Sequence, residues 1–216
     1  KIAATHAGIT VGEDGASHQT LEDLALMRVL PNMMVVVPAD GNQTYQAVKA
    51  IAVYQGPVYL RLGRPKIPQV IPSSAIFELG KSQLLKDGED LTIIATGIMV
   101  AKALEAASTL ENEGIKAAVL NVHTIKPLDR EGVLGMARKT GAVVTAEEHS
   151  VIGGLGSAIA EFLAEEYPVP VIKVGIRDTF GESGTPEELL KKYGLTAGHI
   201  YEASRIAMAK KKSCSR

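Results

Sequence analysis

Apolar positions along the chain alternate between two periods, one typical of amphipathic helices and one typical of buried strands. The first stripe, over residues 20–31, has helical spacing and stops at Pro31. The valine-rich run that follows is continuous, as in a parallel strand that is covered on both faces. Asp40 then stands as the N-cap of a second helix. These segments predict a helix over 20–31, followed by a strand–helix–strand unit. The unit comprises a strand over 33–37, a helix over 41–55 and a strand over 58–62.

A second series of alternating segments follows a proline-containing stretch that begins at Gly63 and has little periodicity. We predict a linker over residues 67–78 in this stretch. An Asp87-Gly88 turn between residues 77–85 and 91–96 favours a β-hairpin. Thr185-Pro186-Glu187-Glu188 forms a capping box and fixes the start of a late helix. The other predicted elements are a helix over 98–112, a strand over 116–122, a helix over 129–139, a strand over 142–147, a helix over 154–166, a strand over 169–174, and two final helices over 186–193 and 197–211.

Composition narrows the class of protein. With 216 residues, 46% hydrophobic and 22% charged, the chain can fold as one large domain or two small ones. A net charge of -1 and 4% aromatic residues give no electrostatic or stacking case for binding nucleic acid or an anionic membrane. No apolar run is long enough to cross a bilayer. The one cysteine, Cys214, cannot form an internal disulfide, which fits a cytoplasmic location.

Residues 5–19 concentrate the groups that acid–base chemistry requires. Two histidines, His6 and His18, and the acidic pair Glu13-Asp14 lie among three glycines. A histidine can move protons near neutral pH, and glycine lets a loop approach a ligand closely. These residues predict a piece of an active site. The alternative is a polar loop in which Asp14 and Ser17 hydrogen-bond only their own turn.

Two sets of motifs give the chain a resemblance to a known family. The first set is Gly-Glu-Asp-Gly-Ala-Ser-His-Gln over residues 12–19, then Leu30-Pro31-Asn32-Met33 and Val37-Pro38-Ala39-Asp40. The second set comprises Thr96-Gly97, Thr124-Ile125-Lys126-Pro127-Leu128-Asp129, Glu147-Glu148-His149, Gly153-Gly154-Leu155-Gly156-Ser157 and Phe180-Gly181-Glu182-Ser183-Gly184. Their order resembles that of the transketolases, thiamine-diphosphate-dependent enzymes that move a two-carbon ketol unit between sugar phosphates.

The resemblance implies an α/β protein with two parallel-sheet sandwich domains. Residues 1–66 would form the second part of the pyrimidine-binding domain, which is therefore incomplete. Residues 79–216 would form the transketolase C-terminal domain, after the linker over 67–78. The chain begins at Lys1, without a methionine and close to the predicted chemistry, so we expect a further segment upstream.

The same resemblance implies roles for four side chains. His18 matches a catalytic histidine beside the reacting carbonyl, suited to moving a proton there. His6 and Asp14 match positions that contact the sugar's hydroxyl groups. Arg64 matches an arginine that grips the substrate phosphate. Arg61 is the competing candidate, because strand alternation does not decide which arginine faces the cleft.

Two further motifs favour structural roles. Glu147-Glu148-His149 contains the side-chain types that bind metals, but adjacent carboxylates at a strand end more commonly cap a helix or face solvent, so we predict no metal there. Gly153-Gly154-Leu155-Gly156 could cradle a phosphate before a helix, yet it lacks the rest of a nucleotide-binding fingerprint. Close packing of a helix start is the favoured interpretation.

The resemblance also sets expectations for cofactor and partners. Transketolases hold the diphosphate and its Mg²⁺ or Ca²⁺ with a Gly-Asp-Gly motif and a downstream Asn, which this sequence lacks. They also use an upstream glutamate that no residue here matches. We therefore expect thiamine diphosphate to be held by an N-terminal transketolase subunit, in a homo-oligomer or a heterotetramer, with no ketol transfer by this chain alone. The alternatives are a 1-deoxyxylulose-5-phosphate synthase, a keto-acid dehydrogenase beta subunit, or a non-catalytic dimerisation module.

Overall fold

The structure, a computed structural model, describes residues 1–214. Its strands are Ile2–Ala4 (β1), Met34–Val36 (β2), Val58–Arg61 (β3), Gln83–Lys86 (β4), Leu91–Ala95 (β5), Ala117–Asn121 (β6), Thr124–Lys126 (β7), Val143–Ser150 (β8) and Val171–Ile176 (β9). Its α-helices are Asp23–Val29 (α1), Gly41–Val53 (α2), Met99–Asn112 (α3), Arg130–Thr140 (α4), Leu155–Glu166 (α5), Pro186–Lys192 (α6) and Ala197–Cys214 (α7). A 3₁₀ helix, Ile9–Asp14, lies between β1 and α1.

The first sheet has the strand order β1-β3-β2-β7. Strands β1 and β2 both pair with β3 in parallel, and α2 connects β2 to β3, as the strand–helix–strand pattern predicts. Asp40 caps α2, since its Oδ1 accepts a hydrogen bond from the Gln43 amide at 2.9 Å. Met34 and Val36 pack against α2, whereas Val35 faces a cluster on the opposite side of the sheet. Both faces of this sheet are therefore covered.

The second sheet has the strand order β4-β6-β5-β8-β9. Its strands β6, β5, β8 and β9 run parallel to one another. Helices α3 and α7 cover one face, and α4 and α5 cover the other. The predicted α/β class with two sheets is confirmed. Each sheet, however, also carries one antiparallel edge strand, which is β7 in the first sheet and β4 in the second.

The predicted hairpin between residues 77–85 and 91–96 is wrong. Strand β4 pairs with β6, and β5 lies between β6 and β8. The Asp87-Gly88 turn exists, but its following amides, of Glu89 and Asp90, donate to the Lys116 carbonyl at 3.0 Å. The turn is thus anchored on the start of β6. Because β5 is fully buried, it takes two parallel neighbours instead of a sequence-adjacent one.

Other local predictions hold with shifted ends. The helix predicted over 20–31 is shorter, because Leu30 takes the extended backbone that a following proline favours. The capping box of α6 is confirmed, with Thr185 Oγ1 and the Glu188 carboxylate 2.7 Å apart. Strands β1 and β7 and the 3₁₀ helix were not predicted. Within residues 1–214, none of the helices is long and apolar enough to span a membrane.

The two sheets share one hydrophobic cluster. It includes Val35 and Tyr59 of the first sheet together with Ile94 and Leu120 of the second. Strand β7 strengthens this junction, because it follows β6 directly yet pairs with β2. His123, between β6 and β7, is fully buried there. The relative placement of the two sheets is therefore set by a common core, and that placement positions the loop described next.

Candidate active site

A closed loop carries the histidines and carboxylates that the sequence singles out. The Gly8 amide donates to the Thr20 carbonyl at 3.0 Å, and Ala7 bridges to Thr20, so residues 7–20 leave and re-enter the fold at one point. The Ala7 amide also bonds the Leu62 carbonyl at 3.1 Å, just after β3. The loop, which we call the site loop (residues 7–20), lies at the carboxyl ends of β1 and β3. Ligands of α/β sheets bind at this edge.

Both predicted histidines are exposed. His6 follows β1 with a left-handed backbone (φ 65°), and its Nδ1 lies 2.9 Å from Thr5 Oγ1. A positive φ is uncommon outside glycine and fixes the direction in which the His6 ring leaves the strand. His18 lies near the end of the site loop, with Nδ1 3.1 Å from Ser17 Oγ. Each ring is thus open to solvent and, among the described residues, has its side-chain hydrogen bond to its neighbour in sequence.

Asp14 and Arg64 meet. Arg64 Nη1 lies 3.2 Å from the Asp14 carboxylate and donates to the Val11 carbonyl at 2.7 Å. Glu13 lies at 4.0 Å from the same nitrogen. The Arg64 side chain keeps 41% of its surface exposed, so the guanidinium remains within reach of a ligand. Two of the predicted substrate-binding residues are therefore neighbours, a pairing that the sequence did not predict.

Arg61 points into the interior instead. Its side chain is 5% exposed, its Nε lies 2.7 Å from Asp23 Oδ2, and its Nη2 donates to the Glu148 carbonyl at 3.0 Å. Burial by itself would raise the pKa of Asp23, but Arg61 and the Tyr59 hydroxyl hold it below its usual value. Since this guanidinium is engaged by buried oxygens, Arg64 is the exposed arginine of the two.

The Glu147-Glu148-His149 motif is entirely buried at the end of β8. Glu147 accepts the Leu155 and Gly156 amides at 2.7 and 2.8 Å, so it caps α5. Burial raises the pKa of Glu147 to about 7, against the lowering effect of those amides. His149 Nε2 accepts the Leu24 amide at 3.2 Å, which leaves the proton on Nδ1 for the Ser150 carbonyl at 2.8 Å. Burial lowers the pKa of His149 and keeps the ring neutral.

These contacts decide the roles left open for the motif and for the glycines after it. Glu147 caps a helix, as one of the predicted alternatives had it, and none of the three side chains faces solvent. A Cβ at Gly154 would collide with the Glu147 carboxylate, and one at Gly156 would lie 2.7 Å from Thr145 Oγ1. Close packing of the helix start is confirmed. The amides that could cradle a phosphate already bind Glu147.

Glu148 and Gln19 hold the site loop, a role that sequence reasoning predicted for neither. Both Thr10 donors, the amide and the hydroxyl, bond Glu148 Oε1 at 2.7 Å. Gln19 Nε2 donates to the Gly12 carbonyl at 3.1 Å and to the Glu182 carbonyl at 2.9 Å. The segment over residues 180–184 therefore lies against the loop. Both residues belong to motifs singled out in the sequence, which was the signal available for them.

Several cavities flank this region. One, of about 580 Å³, opens between the ends of β2 and β3 and the start of α3, and is lined by Thr5, Gly63, Lys66 and Gly97 among others. It lies next to His6 and Arg64 in sequence. A larger one, of about 740 Å³, lies between β9, α6 and α7. Neither cavity is lined by His6, Asp14, His18 or Arg64 itself. The first cavity is also lined by Arg61 and Glu148, so it opens beside the base of the site loop.

A metal or diphosphate site is a separate question. Across residues 1–214, no group of three or more histidine, cysteine, aspartate and glutamate side chains is arranged to hold a metal ion. The glycine-rich start of α5, where backbone amides could bind a diphosphate, is filled by Glu147. The start of α5 is therefore not free to bind the diphosphate end of thiamine diphosphate.

Comparison with known proteins places this arrangement in a family. Residues 1–69 match the family model of the transketolase pyrimidine binding domain, and residues 80–200 match that of the transketolase C-terminal domain. The 6-deoxy-6-sulfo-D-fructose transketolase subunit of Clostridium sp. (strain MSTE9) is 50% identical over 211 residues, which are 98% of this chain and 66% of that protein. The 1-deoxy-D-xylulose-5-phosphate synthase of Heliobacterium modesticaldum (strain ATCC 51547 / Ice1) is 39% identical over 207 residues, 94% of this chain and 32% of that enzyme.

The fold gives the same result. A solved structure of a split-gene transketolase, described as an inactive β4 tetramer, superimposes with a TM-score of 0.92 at 60% sequence identity. The superposition covers 97% of this chain and 67% of that one. This likeness agrees with the two family-model matches, and the chain belongs to the transketolase family.

Proposed function

We propose that this chain is the C-terminal part of a transketolase, which transfers a two-carbon ketol unit between sugar phosphates. The observation that carries the proposal is the site loop, which presents His18 and Asp14 at the carboxyl edge of the first sheet, with Arg64 against Asp14. An exposed imidazole, a carboxylate and a guanidinium together match the proton, hydroxyl and phosphate groups of a sugar phosphate. The split-gene transketolase fold supports the same function.

Each side chain has a distinct role in this proposal. His18 moves a proton at the reacting carbonyl, because its imidazole is exposed and its Nδ1 is oriented by Ser17. His6 and Asp14 accept hydrogen bonds from sugar hydroxyl groups and so favour one stereochemistry. Arg64 binds the phosphate with the guanidinium edge that Asp14 leaves free. Remote binding of the phosphate orients the reacting end of the sugar.

The cofactor is the family's thiamine diphosphate, whose thiazolium ring, when bound, supplies the carbon nucleophile for ketol transfer. Since the start of α5 is not free to bind the diphosphate, we assign the diphosphate and its Mg²⁺ or Ca²⁺ to a partner N-terminal transketolase subunit. The chain spans 66% of its relative from Clostridium sp., which is itself named a subunit. We therefore propose a heterotetramer of both subunits as the active assembly, and a homo-oligomer of this chain alone as an inactive one.

The test is reconstitution. The full-length protein is expressed with and without the diphosphate-binding subunit and assayed for ketol transfer from a ketose phosphate to an aldose phosphate. We expect activity only in the mixture. His18→Ala should lower kcat about 100-fold, in line with general acid–base catalysis. Arg64→Ala should raise the KM for the sugar phosphate about 10-fold or more, because a charge-assisted bidentate contact is lost.

Arg205→Ala is the matched control for Arg64. It also removes an exposed arginine paired with a carboxylate, that of Glu113 at 2.8 Å, but on α7 and away from the site loop. We expect its KM and kcat to equal those of the unmodified protein. Ketol transfer by the full-length protein without a partner would contradict the partner requirement, and full activity in His18→Ala would contradict its role.

A second candidate is 1-deoxyxylulose-5-phosphate synthase, which the 39% identity to the Heliobacterium enzyme favours. Formation of 1-deoxyxylulose 5-phosphate by the reconstituted protein, without ketol transfer, would select this alternative. A protein inactive in both assays, with site-loop amides unprotected by any sugar phosphate, would favour the non-catalytic assembly module.

A further inference from the structure

We propose that the second sheet holds the site loop in its working conformation through Glu148, which makes Glu148 a positioning residue. This inference rests on the proposed function for its kinetic consequence, but its structural part stands without it. Glu148 lies on β8, and Thr10 lies 138 residues earlier in the chain. The two meet only because the sheets share a core.

The contact at the start of the loop is short and buried. Glu148 Oε1 accepts both the amide and the hydroxyl of Thr10 at 2.7 Å, and its side chain is 3% exposed. The backbone of Gly8 passes so close that a Cβ there would collide with the Glu148 carboxylate. Gly8 can do this because its φ is 94°, a region that only glycine enters freely. Buried donors left without an acceptor cost free energy, so the position of the loop start is set by the position of the Glu148 carboxylate.

The end of the loop is tied to the same point. Arg61 Nη2 donates to the Glu148 carbonyl at 3.0 Å and to the Thr20 carbonyl at 3.3 Å. The Ser150 amide bonds the Leu21 carbonyl at 2.9 Å. Both ends of the loop are thus fixed to the last three residues of β8. Burial raises the pKa of Glu148, and the Arg61 and Thr10 contacts oppose that rise.

The side chains in the middle of the loop take their position from its backbone, which Glu148 holds at the base and Gln19 holds at Gly12. Within residues 1–214, the side-chain hydrogen bond of His18 is to its neighbour Ser17, and Asp14 pairs with the exposed Arg64. Exposed ion pairs contribute little to rigidity. A displacement of the loop base is therefore transmitted to both groups. Misplacement of catalytic groups by about 1 Å can lower a rate about 100-fold.

The experiment compares Glu148→Leu with Glu147→Leu in the full-length protein. Both variants remove a buried carboxylate of β8 that accepts two hydrogen bonds, but Glu147 binds α5 and not the loop. Hydrogen exchange of amides 8–18 is measured first. We expect about 10-fold faster exchange in Glu148→Leu and no change in Glu147→Leu, because only the former frees the loop base. Glu148→Gln keeps an acceptor oxygen for Thr10 and should restore the slow exchange.

Kinetics then tests the consequence. In the reconstituted enzyme, Glu148→Leu should lower kcat/KM about 10- to 100-fold, whereas Glu147→Leu should leave it unchanged and Glu148→Gln should recover it. If Glu148→Leu does not fold, Thr10→Val removes one of the two donors, and Thr10→Ser is its conservative control. Equal exchange in the Glu148 and Glu147 variants would overturn the proposal. A difference in exchange without any ketol transfer by the unmodified protein would overturn the proposed function and leave the positioning role standing.

Discussion

His123 makes the stability of the fold depend on pH in a way that can be measured. Its ring is fully buried, with its centroid 4.3 Å from that of Phe77. Nδ1 lies 3.0 Å from Thr124 Oγ1, and Nε2 has no hydrogen-bond partner in the part of the chain that the structure describes. Burial therefore lowers the pKa of His123 from 6.5 to about 4, with Asp129 as a small opposing charge.

The sign of the effect follows from proton linkage. Between pH 6.5 and about pH 4 the unfolded chain binds a proton at this residue and the folded chain does not, so acid favours unfolding. The stability is fully present above pH 6.5 and is lost as the pH falls through this window. From the two pKa values, acidification from pH 8 to pH 5 costs about 2 kcal/mol of unfolding free energy, and the complete loss is about 3 kcal/mol.

The assay is urea denaturation at pH 8, 6.5 and 5, on the unmodified protein and on His123→Phe. Phenylalanine keeps a ring against Phe77 but cannot titrate. Because every other group titrates in both proteins, the difference between their unfolding free energies isolates His123. We expect the variant to gain about 2 kcal/mol relative to the unmodified protein between pH 8 and pH 5.

The control is Thr124→Val, which removes the Nδ1 contact and leaves the imidazole in place. It should shift the stability at every pH and keep the pH dependence of the unmodified protein. A difference between His123→Phe and the unmodified protein that stays constant within about 0.5 kcal/mol across the three pH values would refute the reasoning.

Three further predictions concern the stability of the folded protein. Arg61→Met should lower the unfolding free energy by about 3–5 kcal/mol, because it leaves buried carboxylates unpaired. Arg64→Met should change it by less than about 1 kcal/mol, because that ion pair is exposed. Equal losses of unfolding free energy in urea denaturation would contradict this difference between the two arginines. Gly8→Ala should destabilise more than Gly114→Ala, since both have positive φ but only the first would collide with a buried side chain, and thermal unfolding measures the difference. Thr185→Ala should cost about 1 kcal/mol by removing the capping box, and an unchanged melting temperature would show that the cap contributes nothing.

The sequence predicted the elements that depend on local interactions. The N-cap at Asp40 and the capping box at Thr185 were found because a cap is formed by side chains within a few residues of a helix start. The helices of the second sheet were found because their apolar spacing is a property of one segment. The motifs also directed attention to His6, His18, Asp14 and Arg64, whose proposed roles the kinetic tests above examine.

Only the tertiary structure decided which distant segments meet. Strand β4 pairs with β6 and not with β5, its neighbour in sequence, and β7 pairs with β2 of the first sheet. Pairing depends on which strand edges the common core brings together. Arg61 and Arg64 are alike in sequence terms, and only the position of Asp23 and Glu148 makes one buried and the other exposed. The contact between Glu148 and Thr10 spans 138 residues, so no local pattern encodes it. Helix periodicity and helix caps are determined by residues close together in sequence. Burial and strand register are determined by distant residues, which become neighbours only in the folded chain.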